Sequence, residues 1–282
     1  DVIHIHNPFT IGRAAMKHGR ANGVPVLATN HNMPENTLDN LGWLGRLIPN
    51  GNERIWKWQM KFLNQANYVT SPTQTAVDML LAHGLSVPHQ AVSNGVDLKR
   101  YDPKIAAKPV VEKYHLPRKP IVLYLGRLDG EKRMDVWVDS IPLIRKQIDA
   151  HFLIGGRGGE LAKLKRQAAG LGVAQHVTFA GAVPEDLLPS FYRAGTVFAI
   201  SSPAELQSLV LLEAMASGLP VAAADAAALP ELCKSGRNGY LFLPGDPKGM
   251  AKSVARILQN PAMGKKMGTE SRKIVEQHPD VR

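Results

Sequence analysis

Short apolar runs rich in branched residues recur along this chain, each followed by a loop and then by a helical pattern. In the second half the runs fall at 121–126, 151–155, 176–180, 197–201, 220–224 and 239–243. Helical periodicity follows at 132–147, 160–171, 185–193, 208–217 and 248–259. Several runs are apolar throughout, with no alternation. A strand of that kind is buried on both faces, which is the mark of a parallel sheet covered by helices. The first half repeats the scheme more sparsely, with strands at 2–6, 24–29, 68–70 and 90–92. The reading is α/β, with two doubly wound, Rossmann-like domains. Residues 1–93 form the first, which is incomplete; 94–109 are a linker; 110–282 form the second.

Composition agrees and narrows the function. A chain of 282 residues holds about two domains at roughly 100–200 residues each. With 44% hydrophobic and 21% charged residues it is neither disordered nor fibrous. Basic residues outnumber acidic ones 34 to 24, a net charge of +10. The excess is spread along the chain, so no basic tail marks a nucleic-acid binder, while phosphates or an acidic membrane surface remain favoured partners. Cys233 has no partner thiol, which excludes an internal disulfide and argues against structural zinc. It reads as a small buried apolar side chain, and the expected compartment is a reducing cytosol. No stretch of 18 apolar residues predicts a transmembrane helix; the longest, 209–229, contains Glu213, Gly218, Pro220 and Asp225. Residues 1–6 lack the basic opening of a secretory signal. They read as a buried strand that starts at the first residue, and 265–277 as a helix close to the last. The expectation is a chain shortened at both ends.

In a doubly wound sheet, ligands bind beyond the carboxyl ends of the strands. After the strand at 121–126 comes Gly126-Arg127-Leu128-Asp129-Gly130-Glu131-Lys132. Arg127 and Lys132 are permanent cations at a strand end and a predicted helix start, where free backbone amides add partial positive charge. Together they suit a diphosphate, although solvated helix residues are an equally good reading of this segment alone. After the strand at 197–201, Glu205 and Glu213 stand eight apart, one in a loop and one in an apolar helix. A carboxylate among Leu211, Leu212, Ala214 and Met215 needs donors. Sugar or ribose hydroxyls would serve, and so would a salt bridge within the fold. The amides of Ser208, Leu209 and Val210 open this helix and offer a second phosphate site.

The run from Glu205 to Val221, with Gly126-Arg127-Leu128 and Glu131-Lys132 upstream and Ser93-Asn94-Gly95-Val96-Asp97 between the domains, resembles the retaining GT-B glycosyltransferases of family 4. The resemblance spans essentially the whole chain and lies nearest the branch that glycosylates diacylglycerol-type lipids. It implies a nucleotide-diphosphate sugar held mainly by the second domain. Arg127 and Lys132 would neutralise the leaving diphosphate, Glu205 would bind the transferred sugar, and Glu213 the ribose. Gly126 would let the backbone approach closely, and Gly156 would lie beside the nucleotide. The family's first-domain histidine matches His31, in Asn30-His31-Asn32-Met33-Pro34-Glu35. The resemblance also implies retention, with the donor phosphate helping to deprotonate the acceptor.

Cleaving a glycosyl–phosphate bond leaves negative charge that either a metal or fixed cations must stabilise. No Asp-x-Asp pair occurs in the sequence, so Arg127 and Lys132 are the expected electrophiles, with no metal and no other cofactor. Gly155-Gly156-Arg157-Gly158-Gly159 does not fit the dinucleotide fingerprint and follows the second strand of its domain, against a dehydrogenase. For the acceptor side, Arg54, Lys57 and Lys61 fall on one stripe of a helical pattern at 53–66, with Trp56, Trp58, Met60 and Phe62 supplying apolar surface. This suits an anionic membrane interface, and equally a core-packed helix with a solvated basic face. The expected reaction is glucosyl transfer from UDP-glucose to a lipid at the inner face of the cell membrane. GDP-mannose with a phosphoinositol-type or soluble acceptor, or a remnant that binds nucleotide sugar without turnover, are the alternatives.

Overall fold

The computed structural model describes residues 1–33 and 50–279, which divide into two compact units, Asp1–Asn94 and Gly95–Arg282. In the first unit, strands β1 (Ile3–Ile5), β2 (Val26–Thr29), β3 (Tyr68–Ser71) and β4 (His89–Ala91) alternate with helices α1 (Thr10–Asn22), α2 (Gly51–Leu63) and α3 (Gln74–Ala82). The sheet is parallel and its strands lie in chain order, β1-β2-β3-β4. Right-handed crossovers between consecutive neighbours put successive helices on the same face. Burial alternates accordingly: Val26 and Ala28 of β2 are buried, Leu27 and Thr29 only partly so. The core is Ile5, Met16, Val26, Val69, Leu80 and their neighbours.

The second unit opens with α4 (Lys108–Lys113) and then runs β5 (Ile121–Leu125), α5 (Met134–Arg145), β6 (His151–Gly155), α6 (Leu161–Gly170), β7 (Val177–Gly181), α7 (Leu188–Ala194) and β8 (Val197–Ile200). It continues with α8 (Leu209–Ala216), β9 (Val221–Ala224), α9 (Leu229–Leu232), β10 (Gly239–Phe242), α10 (Pro247–Leu258) and α11 (Pro261–Val275). The strand order is β10-β9-β8-β5-β6-β7, all parallel. Every residue of β5, β6, β8 and β9 is buried, as the unbroken apolar runs require, and the edge strand β7 is only partly covered. Trp137, Phe152, Phe191 and Phe198 fill the space between sheet and helices, the Trp137 indole N–H donating to the Ala199 carbonyl at 3.1 Å.

The order reverses between β5 and β8. That switch point opens a crevice at the carboxyl ends of those two strands, and the two motif-bearing loops leave the sheet there.

Several element boundaries differ from the sequence reading. The helix expected from Lys132 begins at Met134, because 130–132 form a 3-10 turn and Arg133 takes a left-handed conformation, φ 48°. The helix expected at 265–277 begins at Pro261, and the short helices α4 and α9 have no counterpart in the sequence periodicity. Val96, within the segment read as a linker, is buried in the core of the second unit, and its amide donates to the Pro279 carbonyl. Trp56, Met60 and Phe62 of α2 are core residues, with Trp56 stacked on His83 at 3.9 Å between ring centroids. The membrane-interface reading is therefore corrected for Trp56, Met60 and Phe62, which point inward; Trp58 is only half-buried, its ring 6.0 Å from that of the exposed Phe9, and Arg54, Lys57 and Lys61 are exposed. Cys233 is buried as expected, its thiol pushed up to about 12.

Candidate functional site

Two loops meet at the switch point. The first leaves β5 at Gly126, whose φ of 155° and close approach to the Tyr124 hydroxyl leave no room for a side chain. Its amide donates to Gly155 at the end of β6. Across from it, Gly156 has φ 130°, and a Cβ there would lie 1.8 Å from the Gly126 carbonyl oxygen. The glycine-rich loop after β6 is laced to the loop after β5 by Leu128 N–H to the Arg157 carbonyl (2.8 Å) and Glu160 N–H to the Leu128 carbonyl (2.9 Å). The Tyr124 hydroxyl donates to the Arg127 carbonyl at 3.0 Å.

Lys132 sits on the 3-10 turn and not on a helix start. Its backbone is tied to the end of β8, where the Ser201 hydroxyl lies 3.0 Å from the Lys132 carbonyl oxygen and 2.9 Å from that of Arg133. Its ammonium donates to Glu205 Oε1 at 2.9 Å and lies 3.4 Å from Glu131 Oε1. Lys132 and Glu205 are mostly enclosed, with 13% and 12% of their side chains exposed. Arg127 reaches the same cluster: Nη2 bonds Glu131 and Nη1 bonds Asp129 at 2.8 Å. Three of the four charged residues picked from the sequence of the second unit, Arg127, Lys132 and Glu205, thus share one constellation. Glu131 and Asp129 join them; their place beside two cations in sequence was the available signal.

The fourth, Glu213, contacts neither cation. It projects from α8 toward α7, where the Tyr192 hydroxyl donates to Oε2 at 2.6 Å and the Tyr101 hydroxyl adds a second bond. Burial raises its pKa above the usual carboxylate value, against the opposing pull of those hydroxyls and of Arg100. The Tyr192 hydroxyl is in turn pushed well above its ordinary value, first by burial and then by the Glu213 charge. Protein donors thus already serve this carboxylate, and they are tyrosine hydroxyls in place of the salt bridge that the sequence allows. Nothing local in the sequence signals either partner.

Ser208 caps α8, and Leu211 is the first amide after it to find a backbone acceptor, the Ser208 carbonyl. The amides of Ser208, Leu209 and Val210 have no backbone acceptor among the described residues, and the Ser208 hydroxyl is buried without a partner. These are the orphan donors of a helix start, suited to an anion.

His31 belongs to the first unit, just past β2, and Pro34 and Glu35 of its motif lie outside the described residues. Its Nε2 lies 3.0 Å from His6 Nδ1, with the rings stacked, and His4 packs on His6 at 4.1 Å. Burial, then the neighbouring His6 and His4, lower the His31 pKa, favouring the neutral imidazole. Among the described residues no group of three or more His, Cys, Asp or Glu is arranged to hold a metal ion, and no helix is long and apolar enough to cross a membrane.

Comparison with known proteins gives this arrangement a family. Residues 119–260 match the model described as glycosyl transferases group 1, and residues 1–100 that of glycosyltransferase family 4. A GDP-mannose-dependent alpha-(1-6)-phosphatidylinositol monomannoside mannosyltransferase of Mycolicibacterium smegmatis is 31% identical over 74% of this chain and 57% of its own length. Sulfoquinovosyl transferase SQD2 of Arabidopsis thaliana is 26% identical over 99% of this chain and 54% of its own. The chain thus spans a little over half the length of these curated relatives. The UDP complex of HepE from Anabaena superposes with a TM-score of 0.82 over 98% of this chain and 74% of that one, at 20% identity. Sucrose-phosphate synthase of Thermosynechococcus elongatus does so with 0.81, over 98% and 69%, at 22% identity. These likenesses establish the two-sheet GT-B fold. The group 1 model alone covers half of the sequence, and with the family 4 match to the first unit the chain belongs to the group 1, family 4 glycosyltransferases.

Proposed function

We propose that this protein transfers a hexose from a nucleotide-diphosphate sugar to an acceptor hydroxyl of a membrane lipid, with retention and without a metal ion. The observation that carries the reading is the cluster of Arg127 and Lys132 with Glu205 at the switch point of the second sheet. A nucleoside diphosphate leaves as an anion, and two cations held by a shared carboxylate, Lys132 enclosed and Arg127 exposed, stabilise charge that develops on it without reorganising. When the diphosphate takes Lys132, the Glu205 carboxylate is released from its ion pair and can accept bonds from sugar hydroxyls. The free amides at the start of α8 hold a phosphate, Glu213 takes the ribose hydroxyls, and His31 takes the transferred sugar.

UDP-glucose is the first donor of this reading. GDP-mannose is the second, because the mycobacterial relatives are named for it. The lipid acceptor rests on the phosphatidylinositol names among the relatives, on the +10 charge, and on the exposed Arg54, Lys57 and Lys61. The test is the intact mass of product after a panel of nucleotide sugars is offered with a total lipid extract. A hexose added to a lipid, at a rate that excess EDTA leaves unchanged, is expected. Nucleotide binding without transfer or donor hydrolysis would favour the non-catalytic reading, and a rate lost to EDTA and restored by a divalent ion would overturn metal independence. For the membrane, sedimentation with anionic but not neutral liposomes is expected; absence from both pellets would count against it.

A further inference from the structure

Between the two cations lies a carboxylate to which the proposed chemistry gives no part. Glu131 occupies the middle of the 3-10 turn at 130–132, with only 1% of its side chain exposed. One oxygen, Oε1, serves both cations: it accepts from Arg127 Nη2 and lies 3.4 Å from Lys132 Nζ. The other, Oε2, is buried and accepts no hydrogen bond. A carboxylate in that state is costly to keep, so its retention calls for a reason other than stability.

The charge count sharpens the question. Arg127 and Lys132 face Asp129, Glu131 and Glu205, two cations against three carboxylates. A diphosphate would be better received with one of the three removed, if charge were all that counted. The three are not placed alike. Asp129 has 29% of its side chain exposed and Glu205 12%, against 1% for Glu131, so an incoming anion can reach and displace those two from their cations first. Glu131 lies beneath. Arg127 is 58% exposed, a long side chain that would sample many rotamers without an anchor.

We infer that Glu131 is a positioning residue: its buried carboxylate pins the Arg127 guanidinium and the Lys132 ammonium side by side, aimed at the diphosphate, while Asp129 and Glu205 are exchangeable counter-ions. The inference rests on the proposed function.

Calorimetric titration of the full chain with UDP, GDP and uridine tests both. Positioning predicts that Glu131→Gln weakens the better-bound diphosphate by about tenfold, the value of one bond to a charged group. Uridine affinity should stay within about twofold, because no phosphate contact is involved. Asp129→Asn should tighten the diphosphate by about two- to fivefold through charge alone. A Glu131→Gln variant that binds the diphosphate as tightly as wild type, or tighter, would overturn the inference, and so would equal losses for diphosphate and uridine. Should that variant fail to fold, Glu131→Asp carries the test, since it keeps the charge and withdraws it by one methylene. A several-fold loss of diphosphate affinity alone is expected, and none would refute the role. A wild-type chain that binds neither UDP nor GDP would remove the proposed function, and the role of Glu131 with it.

Discussion

Replacing Lys132 with Met separates what this ammonium does for the fold from what it does for the donor. Its Nζ is 2.9 Å from Glu205 Oε1, and both side chains are largely enclosed. At an effective dielectric near 20, such a pair attracts by about 4 kcal/mol at 4 Å, of which desolvation cancels a large share. Removing the cation alone leaves Glu205 without its partner, while Glu131 keeps Arg127. We expect a net loss of about 2 kcal/mol in unfolding free energy, read from urea denaturation. The double variant Lys132→Met/Glu205→Gln should recover to within about 1 kcal/mol of wild type, since the cluster then carries the same excess of one carboxylate as before. Function should not recover with it. Both variants should bind UDP at least about tenfold more weakly, and transfer should fall by about two to three orders of magnitude, as when one preorganised electrostatic contact is removed. A double variant as unstable as the single one would refute the account of the ion pair. Unchanged UDP affinity in either would refute the assignment of Lys132 to the diphosphate.

Other substitutions probe the remaining parts of the site. Burial raises the Glu213 pKa, so the stability this group contributes is present below pH 4.5 and is lost as pH rises through its folded value. Glu213→Gln should therefore be more stable than wild type at pH 8, by about 1 kcal/mol in thermal or urea unfolding, yet bind UDP about tenfold more weakly through the lost ribose contact. Gly156→Ala places a Cβ 1.8 Å from the Gly126 carbonyl at a backbone angle only glycine adopts readily; a loss of about 2–4 kcal/mol is expected, with weakened nucleotide binding. His4 and His31 both have depressed pKa values, so the unfolded chain takes up protons first as pH falls below 6.5. Unfolding temperature should drop between pH 7 and 5, and less steeply in a His31→Asn variant; identical slopes would refute the contribution of His31.

The second unit was the more legible in sequence, for a physical reason. Strands such as Ile121–Leu125 and Val197–Ile200 are buried on both faces, so an unbroken apolar run identifies them without any alternation to misjudge. The loops after them hold their chemistry in short order, so Arg127, Lys132 and Glu205 stand out from the sequence alone. What failed was tertiary. The late start of α5 depends on a left-handed Arg133 and on the Ser201 hydroxyl beneath it, and the periodicity of the following residues carries no trace of either. The aromatic residues of α2 are open to a membrane reading because Trp56 stacks on His83, the residue that ends α3, a contact between segments distant in sequence. The donors to Glu213 come from α7 and from the segment before α4, far apart in the chain. Glu131 belongs to the same loop motif, but a sequence does not distinguish a buried bridge from a solvated glutamate.

On the proposed function, Arg127 and Lys132 receive a nucleoside diphosphate at the carboxyl ends of β5 and β8. A crystal structure of the protein soaked with UDP tests it most directly. The expected density places diphosphate oxygens within hydrogen-bonding distance of both side chains, with Glu205 released from Lys132. UDP bound elsewhere, or bound there with the Lys132–Glu205 pair intact, would contradict it.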